Sequence, residues 1–274
     1  MKQNLSEQVD TIVNPCRNVT REEAEHYREK GWVLLKKFIS AEMISAMLTK
    51  AKELMGEDGD SNPSYGIDQP YFNAFAASGY NDPRIKPVFS GIGEAAKTLM
   101  ARDVNVRLFN DFFAPKLPSG KKTRNAGNGA TSFHQDFITF AVDRSGGMTF
   151  WIPLEPYGPE AGTMSFLNGS HNLGVLGNYS AYDGADIREV WPALNNLEET
   201  PQVTYELGDV TVHTHHTVHG ASSNLLDRPR WAYLVLPQPA DARWNGAPPE
   251  AFDPAAHNMT PYGKFPDEDF PIIA

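Results

Sequence analysis

Cysteine is nearly absent from this chain of 274 residues: Cys16 stands alone. A single thiol makes no internal disulfide and reads as an inert group. It also argues against a closed zinc site, since those usually include thiolate ligands. No run of 18 or more apolar residues occurs, which excludes a spanning helix. The opening Met1–Asp10 has no apolar stretch of the secretory type, so a soluble, cytoplasmic protein is expected. Positive charge is scarce as well, with 24 Lys+Arg against 34 Asp+Glu and a net charge of −10. Such a chain repels phosphate backbones and anionic lipid, so neither nucleic acid nor a membrane surface is an expected partner. A small molecule is. Oligomeric state has no signature here.

Hydrophobic residues make up 41% of the chain, enough for a core, and 22 Gly with 21 Pro punctuate short elements. Residues 1–19 show no period and read as an arm or a loosely packed lead-in. Thr20-Arg21-Glu22-Glu23 is a capping box opening a helix that stops at Gly31. Trp32–Leu35 reads as a strand. Ser40 caps a second helix carrying Met43, Ile44, Met47, Leu48, Ala51, Leu54 and Met55 at three- and four-residue steps, and residues 92–100 suggest a third. Strand-like runs then dominate: 104–113, 133–140, 148–154, 162–167, 202–207, 210–218 and 231–236. The expectation is one domain over 1–274, mainly β with N-terminal helices. It comprises helical support (1–100), a jelly-roll core (101–237) and a cover from the Pro- and aromatic-containing tail (238–274).

Histidine is concentrated where it can do chemistry. In a strand, His134 and Asp136 face the same way and Gln135 the other. An imidazole and a carboxylate so placed supply two ligands of the two-His, one-carboxylate triad that leaves positions open on Fe(II). Candidates for the third lie in Gly208–Gly220, where alternation puts His213, His215 and His219 on one face and His216 on the other. Alternation alone does not separate the first three. His219 is favoured by its place before Gly220 and by Arg230, 11 residues on. A hairpin around Asn224-Leu225 would set His219 and Arg230 opposite each other. A guanidinium in a metal-bearing cavity calls for a carboxylate gripped in a fork, which the far end of 2-oxoglutarate provides. His213 and His215 then read as buried polar core or as groups orienting the ligands. A Ser/His/Asp hydrolase is the other chemistry these residue types allow, but no Gly-x-Ser-x-Gly elbow accompanies them.

These features resemble the phytanoyl-CoA dioxygenase-like family of Fe(II)/2-oxoglutarate oxygenases. The likeness rests on His134-Gln135-Asp136, His219-Gly220 and Arg230. It extends through Thr20–Glu23 with Gly31–Leu34, Lys116–Thr123, Trp151–Leu154, Gly162-Thr163 and Asn168–His171, covering roughly residues 20 to 237. The resemblance implies a double-stranded β-helix, cupin-like in architecture, in which His134, Asp136 and His219 bind iron and Arg230 anchors 2-oxoglutarate. It also implies that Thr131, Trp151 and Thr163 line the cosubstrate pocket. Ala221 departs from the pattern, since many relatives carry Ser there; Thr163 or Ser222 would have to supply the missing hydroxyl. Asp136 is intact, which argues against halogenation, where a small residue replaces the carboxylate. The implied reaction consumes 2-oxoglutarate and O2, releases succinate and CO2, and oxidises a C–H bond of a small organic molecule, hydroxylation in specialised-metabolite biosynthesis being the expectation. Tyr71–Phe75, Trp191, Trp244 and Tyr262 are candidate walls for an apolar substrate. The competing class is a cupin-like metal or metabolite binder without turnover, because the fold alone hosts both.

Overall fold

The computed structural model describes residues 14–59, 78–119, 129–177 and 186–274. Helix α1 (Arg21–Lys30) begins at the reciprocal Thr20–Glu23 capping box and ends at Gly31, whose φ of 86° closes the last turn in the left-handed region. Strand β1 (Trp32–Leu35) follows directly. Helix α2 (Ala41–Met55), capped by Ser40, buries Met43, Ile44, Met47, Ala51 and Met55, so the methionines are core residues. Helix α3 spans Val88–Met100, starting four residues before the expected position.

The strands are β2 (Val106–Phe113), β3 (Thr131–His134), β4 (Met148–Pro153), β5 (Met164–Phe166), β6 (Val210–Thr214), β7 (His219–Ala221) and β8 (Ala232–Pro239). They form a five-stranded sheet in the order β1-β6-β4-β8-β2 and a three-stranded sheet in the order β3-β7-β5, with every pairing antiparallel. This is a double-stranded β-helix supported by helices, the architecture expected from the sequence. Alternation divides the large sheet. Val33, Leu35, Val210, Val212, Phe150, Ile152, Tyr233 and Val235 join Met43, Met47, Ile92 and Leu99 in the main core, so one face packs on the helices. The other face carries Trp151, Leu34, Trp32 and Leu234, packed with Met164 and Phe166 of the small sheet. Trp32 and Phe166 stack across that gap at 4.6 Å between centroids.

Several boundaries differ from the sequence reading. The run 133–140 is not a strand: β3 stops at His134, Asp136 takes a helical backbone conformation, and a short 3-10 turn covers Phe137–Thr139. The run 210–218 is broken as well. Thr217 Oγ1 donates to the Gly31 carbonyl, and its amide turns back to Thr214. That turn carries the chain from β6 in one sheet to β7 in the other. Residues 202–207 make only an isolated bridge, Tyr157 to Tyr205. No hairpin joins His219 to Arg230, since β7 pairs with β3 and β5 while Arg230 bridges Lys116. Residues 14–19 are no arm: Cys16 is buried and bridges Ile39. Residues 1–13 and Tyr71–Phe75 lie outside the described residues. In the tail, Phe265 and Phe270 pack with Phe109, Phe140 and Leu236, and Trp244, Phe252 and Met259 join them.

Candidate metal and cosubstrate site

Three elements bring their side chains together on the inner face. His134 ends β3, Asp136 opens the turn after it, and His219 begins β7, directly across from His134 in register. One ligand atom from each of these three residues falls within 4.8 Å of the others, an arrangement that could hold a metal ion. Asp136 Oδ1 lies 3.4 Å from His134 Nε2 and 3.7 Å from His219 Nε2. Each ring is held from behind by a backbone carbonyl: His134 Nδ1 by Ser132 at 2.8 Å and His219 Nδ1 by Thr217 at 3.0 Å. A carbonyl only accepts, so each Nδ1 carries a proton, and in the neutral ring Nε2 is then the nitrogen with the lone pair. Burial would raise the Asp136 carboxyl, but the imidazoles of His219, His134 and His213 around it hold it well below the usual carboxylate range. Burial keeps His219 neutral, its imidazole far below the ordinary value. An ionised carboxylate and a neutral imidazole are the protonation states a divalent cation needs.

The other late histidines separate by surroundings. His213 lies against the site, its ring 4.1 Å from that of His219. His215 points elsewhere, packing on Phe140 with the ring centroids 4.3 Å apart, and desolvation lowers its pKa to about 3. His216 packs on Phe137.

Two residues along β4 from Thr149, which donates to Asp136, the same face carries Trp151. Arg230 sits over that indole, 5.0 Å from the ring centroid, and donates through Nη1 to the Gly162 carbonyl at 2.7 Å. Gly162 has a φ of +71°, and a Cβ there would meet the Ser222 carbonyl at 2.4 Å. Arg230 is 6% exposed, its Nε has no partner, and burial lowers its pKa to about 10. Beside it lies a residue that spacing arguments did not single out. Lys116 is 5% exposed, with Nζ 2.8 Å from the Ser222 carbonyl and 3.3 Å from Thr131 Oγ1. Burial, then repulsion from Arg230, depress its pKa well below the ordinary lysine value. Among the described residues, neither cation is paired with a carboxylate. The Thr163 hydroxyl is buried without a partner, whereas Ser222 Oγ accepts from Gln202 at 2.7 Å. Two uncompensated buried cations and an unpaired hydroxyl fit an incoming carboxylate. The signal for Lys116 was its bridge to Arg230, which only strand pairing reveals.

Of the suggested substrate walls, Trp191 and Tyr262 are exposed, at 44% and 65%, and the Trp191 indole donates to the Leu176 carbonyl. Trp244 is half-buried in the aromatic cluster of the tail.

A helix-backed double-stranded β-helix with a His/Asp/His set inside it defines the class of 2-oxoglutarate-dependent non-haem iron dioxygenases. The model of the phytanoyl-CoA dioxygenase (PhyH) family matches residues 27–232, and the chain belongs to that family. A curated relative, the probable alpha-ketoglutarate-dependent hypophosphite dioxygenase of Stutzerimonas stutzeri, is 24% identical over 226 residues, covering 74% of this chain and 73% of the relative. Among solved structures, the non-heme alpha ketoglutarate dependent carbocyclase SnoK from nogalamycin biosynthesis superposes with a TM-score of 0.72 at 23% identity. The match covers 94% of this chain and 97% of that one. The epimerase SnoN from the same biosynthesis gives a TM-score of 0.67 at 21% identity, with 92% and 98% covered. No helix among the described residues is long and apolar enough to cross a membrane.

Proposed function

We propose that the chain oxidises a C–H bond of a small organic molecule, by hydroxylation, in specialised-metabolite biosynthesis. In this reaction 2-oxoglutarate, O2 and substrate R–H yield succinate, CO2 and R–OH. One observation carries the reading. A His/Asp/His set lies against Thr149 of β4, and two buried cations with no carboxylate partner among the described residues lie by Trp151, the next residue on the same face of that strand.

His134, Asp136 and His219 would hold the iron, facing it with one carboxylate oxygen and two imidazole lone pairs. When bound, the iron and 2-oxoglutarate together supply the oxidising power that a protein side chain lacks. Arg230 and Lys116 would grip the distal carboxylate, with the Thr163 hydroxyl as a third donor. Trp151 supports the guanidinium from below, and Thr131 orients the ammonium. The apolar packing of Met164, Phe166 and Leu234 around these groups keeps bulk water away from them. The relatives' names span carbocyclisation, epimerisation and hypophosphite oxidation, so a shared oxidising centre serves different outcomes.

The test is succinate release from 2-oxoglutarate with Fe(II) and ascorbate, across a library of small metabolites, with product mass read alongside. A substrate gaining one oxygen atom is expected. Complete absence of succinate over the library would favour a binding protein without turnover, and a product lacking the added oxygen would replace hydroxylation.

A further inference from the structure

Asp136 has two carboxylate oxygens, and their surroundings differ. Oδ1 faces His134 Nε2 and His219 Nε2. Oδ2 lies 2.8 Å from Thr149 Oγ1 and 3.1 Å from His213 Nε2. The ring tautomers follow the same division. His134 and His219 carry their protons on Nδ1, bonded to carbonyls. His213 is reversed: an ionised carboxylate only accepts, so the His213 proton sits on Nε2. Its Nδ1 is buried without a partner and is not the nitrogen facing Asp136. Three imidazoles crowd one carboxylate, but only two present lone pairs toward it.

The fold places both Oδ2 donors side by side. Thr149 on β4 and His213 on β6 are register partners, so their side chains emerge together on the inner face. His213 is 1% exposed and packs between the His219 ring at 4.1 Å and the Phe166 ring at 5.5 Å. Its ring has little freedom to turn.

We propose that His213 is a positioning residue: with Thr149 it holds Oδ2, so that Asp136 offers Oδ1 alone to the metal. This rests on the metal-site reading above. Capture through one oxygen matters because a second bound oxygen would occupy a position that the cosubstrate or O2 needs. Pinning Oδ2 also fixes the carboxylate plane before metal arrives, and hydrogen-bonded partners of this kind typically contribute 10–100-fold in metal affinity.

The experiment uses the metal-free protein and Co(II) alone, followed by its d–d absorption, with thermal melting of each metal-free variant. His213→Phe should weaken Co(II) binding by about 10–100-fold while melting near wild type. His213→Gln, whose amide can donate to Oδ2, should recover most of that loss; a purely space-filling role would instead favour Phe. In the metal-free wild type, 15N NMR should find the His213 proton on Nε2 and those of His134 and His219 on Nδ1. Should His213→Phe fail to fold, Thr149→Val tests the same grip, with a smaller loss expected. Wild-type Co(II) affinity in these variants, or a His213 proton on Nδ1, would overturn the proposal. So would loss of all Co(II) in His213→Phe with binding kept in His219→Ala, which would make His213 a ligand. Asp136→Ala separates the two readings. Wild-type affinity there sinks the metal site itself, whereas loss there with none in His213→Phe sinks only the role of His213.

Discussion

At one end of the inner face a single carboxylate, Asp136, sits among three imidazoles and a threonine hydroxyl. At the other end two cations, Lys116 and Arg230, sit against carbonyls, a hydroxyl and an indole, with no carboxylate among the described residues. Lys116 and Arg230 are buried, whereas Asp136 and His134 are partly exposed, so water screens the cation end less than the carboxylate end. The Asp136 end has its anion well supplied with donors. The Arg230 end holds two buried like charges that repel each other. Differences of this kind mark where the chain stabilises itself and where it keeps room for a partner.

Asp136→Ala breaks the first end most severely. Turnover should vanish while circular dichroism keeps the folded signature, since the change removes a ligand more than a core contact. Residual wild-type activity would remove Asp136 from the site. At the second end, Arg230→Ala should raise the 2-oxoglutarate requirement at least 10-fold, a charged hydrogen bond contributing about 1.5–3 kcal/mol. An unchanged requirement would shift the anchor to Lys116 alone. A base with a depressed pKa loses its charge early as pH rises. Alkaline pH should therefore weaken 2-oxoglutarate binding in the wild type and have less effect in Lys116→Met.

His215 sharpens the contrast from outside both ends. It is buried beside Phe140, with a pKa of about 3 in the folded protein, so between that value and about 6.5 the unfolded chain binds more protons. Stability on this account is fully present above pH 6.5 and is lost as pH falls. The loss between pH 7 and 5 is about 2 kcal/mol. Urea titrations at the two pH values should show a shallower dependence in His215→Phe than in wild type; equal slopes would mean that His215 is not held neutral. The smallest effect has the opposite sign. Lys116→Met removes one of two repelling charges, so the ligand-free protein should melt about 2–4 °C higher, the shift expected of about 1 kcal/mol. A lower melting temperature would show that the carbonyl and hydroxyl contacts of Lys116 outweigh the repulsion.

Local signals were legible where a single element suffices. The capping box at Thr20, the Gly31 stop and the apolar rows of Met43 and Met47 describe helices that pack one face. His134 and Asp136 were correctly placed together, but for the wrong reason. Strand alternation predicted a shared face, whereas a turn after His134 brings the Asp136 carboxylate beside the imidazole. The same limit applies to residues 210–218. Period two grouped His213 with His219, and the two rings do meet, yet they belong to different sheets. Alternation counts residues along one strand and carries no record of where a chain changes sheets. Lys116 stayed unassigned for a related reason, since its nearness to Arg230 comes from a bridge between segments more than 100 residues apart.

By itself the sequence determined the chemistry available: imidazoles, one aspartate and an arginine in a chain with almost no thiol, on strands short enough to need two sheets. Only the tertiary structure decided which imidazole turns a lone pair toward Asp136 and which turns a proton. That choice depends on the carbonyls of Ser132 and Thr217 and on the register between β4 and β6. Tautomers follow hydrogen-bond partners, and those partners are set by packing across the fold.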